Sequence, residues 1–155
     1  MKFLFPAIIF VLGFAACKKS DPDPVVTNTD LITSGSWKFE TGGIDTDGNG
    51  SIDLTMGAGL LAPCIADNFA DFSANGTGVA NEGATKCDPA APQTEPFTWA
   101  FTNNETRLNI TGLNLFGLGN NFKITTLTET RLGLSKDTTL PGFPAAISLV
   151  VHLKH

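Results

Sequence analysis

Residues 97–102 read Phe97-Thr98-Trp99-Ala100-Phe101-Thr102, and residues 147–154 read Ile147-Ser148-Leu149-Val150-Val151-His152-Leu153-Lys154. In the first stretch the three rings fall on alternate positions. In the second, Ile147, Leu149, Val151 and Leu153 share one face, with Ser148, His152 and Lys154 on the other. A period of two is that of a strand with one buried face. The same alternation recurs at Trp37 and Phe39, at Leu108 and Ile110, and at Leu132 and Leu134. Phe122, Ile124 and Leu127 belong to one strand whose parity breaks, which predicts a bend between Ile124 and Leu127.

Turn signals separate these runs. Asp45–Gly50 is one, with Asn49-Gly50 predicting a type I′ turn. Asn75-Gly76 divides a strand over 66–74 from one over 77–81, and Asn103-Asn104 follows the aromatic run. Ser51 to Leu54 continues the chain after the first turn. Residues 54–62 carry a weak helical signal, interrupted by Gly57 and Gly59. Residues 83–96 form a Pro-rich loop. About eight strands in simple succession predict an all-β fold: an eight-stranded antiparallel up-and-down barrel, in which closure removes the edges, or a closely related sandwich. Whether such a barrel is filled or hollow is open at this point.

The first residues have a different character. Lys2 precedes an apolar run from Phe3 to Phe14, which has the length of a secretory leader and is short for a membrane span. The run closes on Phe14-Ala15-Ala16-Cys17. That tetrapeptide resembles the lipobox of bacterial lipoproteins, with Phe14 where the family usually has Leu. The resemblance implies cleavage after residue 16, diacylglycerol and palmitate-type acyl chains on Cys17, and anchoring in a Gram-negative envelope. An ordinary secretory leader with an incidental cysteine is the plainer alternative. Residues 1–16 are thus expected to be a lipoprotein signal peptide, 17–30 a lipidated tether rich in Asp, Pro, Asn and Thr, and 31–155 the folded domain. Lys18 is not the Asp that marks inner-membrane retention, so the expected address is the outer membrane. Lys19-Ser20-Asp21-Pro22-Asp23 resembles a surface-export tether, and ordinary linker chemistry explains it equally well. The periplasmic and surface faces both stay open.

Charge and cysteines are read against that address. The chain carries a formal charge of −5, and losing Lys2 with the leader makes it one unit more negative. An acidic balance argues against nucleic acid, which needs clustered Lys and Arg. There are three cysteines. Lipidation of Cys17 leaves Cys64 and Cys87, which an oxidising compartment would join as a disulfide. Two free thiols are the alternative. Neither has a Cys or His close in sequence to suggest a metal site.

Gly35-Ser36-Trp37 opens the first strand. Further along come the turn Asp45-Thr46-Asp47-Gly48-Asn49-Gly50, Cys64, residues 67–76, Glu82-Gly83-Ala84-Thr85-Lys86-Cys87-Asp88-Pro89, Phe97-Thr98-Trp99 and a late Ile-Thr-x-Leu-Thr run. In order and spacing, these are similar to the lipocalin-like domain of small bacterial lipoproteins, over residues 31–135. The resemblance implies a calycin-type barrel. It also implies that Trp37 plugs the closed end beside Gly35, and that a late arginine, here Arg131, packs on the indole as a cation–π pair. It supplies no ligand.

Asp45, Asp47, Asn49, Ser51 and Asp53 occupy positions one, three, five, seven and nine of a calcium loop of the EF-hand type, with Gly50 at six and Ile52 at eight. Position twelve should be a bidentate Glu and is Met56. The competing reading is a solvated acidic turn. Catalysis has little support. His152 and His155 fall on opposite faces of one strand, there is no Tyr, and no phosphate-binding glycine loop occurs. The sequence therefore predicts a non-enzymatic envelope protein. One reading gives it a small apolar ligand, with Phe69, Phe116 and Phe143 near the mouth. The alternative is a filled barrel acting through its loops at 112–121 and 138–144.

Overall fold

The computed structural model describes residues 25–55, 62–113, 119–139 and 146–155. Cys17, with the whole expected leader, lies outside them, as do Met56, Phe116 and Phe143. The elements run α1 (Asn28–Ile32), β1 (Ser36–Asp45), β2 (Leu54–Thr55), a 3-10 turn (Pro63–Ile65), β3 (Phe69–Phe72), β4 (Thr77–Asn81), β5 (Thr94–Thr102), β6 (Arg107–Thr111), β7 (Asn121–Leu127), β8 (Arg131–Thr138) and β9 (Ile147–Lys154). Every pairing is antiparallel. β3 to β9 follow one another in the sheet, and β9 returns to β1. The result is a closed up-and-down barrel of eight strands, with β2 as a short addition beside the far end of β1. Closure leaves the long strands without the free edges that invite aggregation.

The alternation seen in the sequence sets which way each strand faces. Phe97, Trp99, Leu108, Ile110, Phe122, Leu132, Leu134, Val151 and Leu153 all point into one buried cluster with Trp37 and Phe72. The register of β7 against β8 shifts between Ile124 and Thr126, where the break in parity predicts a bend. A second irregularity falls between Phe39 and Thr41 where β1 meets β9, and Glu40 sits at it.

Three expectations are corrected. Asn49-Gly50 is not a type I′ turn: Gly48 and Gly50 have positive φ (76° and 88°), but Asn49 does not, and type I′ needs both central residues there. The chain instead winds around Asp45, as described below. Leu54 and Thr55, expected to open a short helix, pair with Ile44 and Gly43 as β2. The fold also begins before Leu31. Thr27 caps α1 in a reciprocal capping box with Asp30, and the side chain of Asn28 donates to Glu105 across the barrel end (2.9 Å). The last residues of the expected tether are therefore part of the domain.

Candidate functional site

The two ends of the barrel differ. At one end lie α1, the turn at 73–76, the turn at 103–106 and the link from β7 to β8. Here the interior is filled. Phe72 meets Phe97 and Trp99 edge-on, at centroid distances of 5.2 and 5.6 Å, and Trp99 meets Phe101 at 5.4 Å. Gly78 makes room for this cluster, since a Cβ there would come within 2.2 Å of the Phe97 ring. The Trp99 indole N–H is satisfied by the carbonyls of Ser73 and Thr77.

Trp37 closes this end, as the Gly35-Ser36-Trp37 signature implies. It is 1% exposed, and its indole N–H donates to the carbonyl of Ile32 (2.8 Å), which ties α1 to the barrel. Its partner is not Arg131. Leu132 faces inward, so parity turns Arg131 outward, where it donates from Nε and Nη2 to a single oxygen of Glu40 (2.9 and 2.6 Å). The ring that packs on Trp37 is His155, with centroids 3.9 Å apart and a tilt of 37°. His155 Nε2 lies 3.2 Å from the Ser34 hydroxyl. This explains Gly35, because a Cβ there would approach His155 Nδ1 to 2.7 Å. Sequence reasoning missed His155. The only available signal was its shared parity with Leu153.

Towards the Asp45 end the interior is hollow. The inward positions level with Trp37 and Phe39 on β3 and β4 are Ala70 and Ala80, which leave space that larger side chains fill elsewhere. The cavity measures about 1210 Å³, at or above the roughly 300–1,000 Å³ of ordinary ligand pockets. Its inner wall is apolar, formed by Trp37, Phe39, Ile110 and Leu153. Its rim is polar, with Asn68, Glu82, Glu95 and Asn120, and Phe69 is on it too, as expected. Glu82 and Glu95 were not singled out from the sequence. Parity was the signal: Glu95 stands two before inward Phe97, and Glu82 two after Ala80.

One side of the rim is stapled in place. Cys64 and Cys87 form a disulfide (Cα–Cα 5.2 Å), and Cys87 itself lines the cavity. The Asp67 carboxylate accepts the backbone N–H groups of Ala84 (2.8 Å) and Thr85 (2.9 Å) and the Thr85 hydroxyl. That Thr85 hydroxyl bond and the two N–H bonds hold the Asp67 carboxyl below its ordinary range, against desolvation. With its nitrogen turned towards them, the Asn68 amide donates to the carbonyls of Cys64 (3.0 Å) and Glu82 (2.8 Å). The segment that carries Glu82 is thereby fixed to the start of β3.

The acidic turn lies at the same end. Asp45, Asp47 and Asp53 each bring a carboxylate oxygen within 4.8 Å of the others, while the Asn49 side chain bonds back to Asp47 and to the Ser51 N–H. Asp45 is buried and accepts the N–H groups of Asp47, Gly48 and Gly50. Burial alone would raise its pKa. The bonds from Gly50, Gly48 and Asp47 outweigh that and hold it below the ordinary value. Asp53 is lowered first by the Thr46 hydroxyl and then by the Thr46 N–H. The loop thus has its own internal hydrogen bonds, and three of its five expected ligands are gathered in one place.

No family model and no curated protein matches this chain. Among solved structures it is similar to japanin from Rhipicephalus appendiculatus bound to cholesterol. The TM-score is 0.45 at 13% identity, over 83% of this chain and 78% of that one. A likeness of that extent decides nothing about chemistry. The eight-strand antiparallel barrel stands on this protein's own pairings.

Proposed function

We propose that this protein is a lipid-anchored envelope lipoprotein of the lipocalin-like kind, whose barrel holds one small, largely apolar molecule. The single observation that carries the ligand is the cavity of about 1210 Å³ over Trp37, Phe39, Ile110 and Leu153. Apolar walls of that extent favour a hydrophobic body, and a few polar groups at the rim orient it. Support for the anchor is in the sequence: Lys2, the apolar run to Phe14, and Ala15-Ala16-Cys17. A filled barrel acting through its loops would leave this interior volume unexplained.

Two measurements test the proposal. Native mass spectrometry of protein purified from its own cells should show a co-purified small molecule that leaves on unfolding. A chain that stays empty there and takes up no hydrophobic probe would end the ligand reading. Replacing Cys17 with Ala should move the protein from the membrane fraction to the soluble fraction. Unchanged fractionation would end the anchor reading without touching the first.

A further inference from the structure

The chemistry of the rim narrows the ligand further, given that the cavity binds one. Glu95 pairs with Ala80 across β4 and β5, and the Glu82 N–H donates to the carbonyl of Gln93 one step beyond. On paired strands this places the two glutamates diagonally on the same inward face, within reach of one another's ligand. Both line the cavity. Neither carboxylate has a hydrogen bond or ion pair among the described residues. No Lys, Arg or His is among the described lining residues. The nearby cation, Lys86, is spent on the carbonyls of Pro89 and Ala91.

We propose that the ligand is an amphiphile with an apolar body and a protonated amine, whose ammonium sits between Glu82 and Glu95 while the body lies on Trp37 and Phe39. Two uncompensated carboxylates at the edge of a low-dielectric cavity attract a cation and repel an anion more strongly than the same groups would in bulk water. Carboxylate ligands such as fatty acids would meet like charge and no donor cation, which selects against them. An ammonium brings three N–H donors for which the rim already holds the acceptors.

The test compares three probes with the same twelve-carbon chain, dodecylamine, dodecanol and dodecanoate. Each is titrated calorimetrically below its micelle concentration into the intact protein. The amine should bind on the order of tenfold tighter than the alcohol, a difference of about 1.4 kcal/mol, and the carboxylate weaker than either. In Glu82→Gln/Glu95→Gln the amine should fall to the level of the alcohol, while the alcohol's affinity and the thermal melt stay put. Glu129→Gln, at the filled end, removes one unit of charge away from the cavity and should keep the preference. Dodecanoate or dodecanol binding as tightly as the amine, or a preference that survives the double variant, overturns the amine assignment and leaves the cavity reading intact. Failure of all three probes overturns the cavity reading itself.

Discussion

One barrel has two interiors. At the α1 end, large rings interlock and every buried indole N–H has a carbonyl partner. At the Asp45 end the same alternation of strands presents Ala70 and Ala80, and space replaces packing. Antiparallel pairing closes the barrel throughout, and the difference between the ends follows side-chain size at a few inward positions. Large buried rings are concentrated at the filled end, and open interior space at the other.

The largest expected effect tests the filled end. Trp37→Ala removes the plug, the ring partner of His155 and the bond to Ile32 together, and should cost about 3–5 kcal/mol in urea unfolding. A cost below about 1 kcal/mol would mean that this end is no better packed than the surface. Next is the staple on the hollow end. Removing it as Cys64→Ala/Cys87→Ala frees a loop of sequence separation 23 and should cost about 3 kcal/mol by loop entropy. It should also weaken probe binding, since Glu82 and the segment to Thr94 hang from it. Loss of stability with unchanged binding would place the ligand deeper than the rim. The third test inverts the first. Ala80→Leu adds bulk where there is space, so stability should change by less than about 1 kcal/mol while probe binding is lost. A large destabilisation would show that the space is already filled.

The filled end was the more legible in sequence, for a physical reason. Burial on one face imposes strict parity, so Phe97, Trp99, Phe101, Leu108 and Ile110 announce their own direction, and even the β7 irregularity shows as a break between Ile124 and Leu127. A cavity imposes no such pattern, because space is signalled only by small residues, and Ala70 and Ala80 look like any alanines. An arginine is the partner of Trp37 that the family resemblance implies, whereas parity sends Arg131 to the outer wall and the His155 ring packs on the indole instead. The residue types at 45–53 predict a type I′ turn at Asn49-Gly50 and a calcium-type loop or a solvated acidic turn. Its winding depends on three backbone N–H groups converging on one buried carboxylate, which residue types alone do not reveal.

The smallest expected effects come from acid, and they separate the two regions by pH. His152 is half-buried on the outer wall beside Gly133. Desolvation first, and then the nearby Arg131 guanidinium, hold its pKa below the ordinary 6.5, against an opposing pull from Glu40. With the folded pKa below the unfolded one, the unfolded chain binds the proton more readily. The stability contributed by neutral His152 is complete well above 6.5 and is lost as pH falls from there through the folded value. Asp45 and Asp53, at the hollow end, also have lowered values, so the stability they contribute is complete above 3.8 and fades only below it. Thermal melts should therefore decline in two steps on acidification. His152→Gln should flatten the first step, and Asp45→Asn should flatten the second at the cost of a lower melt at neutral pH. The Asp45→Asn loss should appear with or without calcium, because the partners of that carboxylate are the protein's own N–H groups. A first step that persists in His152→Gln would assign it to another group and remove the outer wall from the account of acid sensitivity.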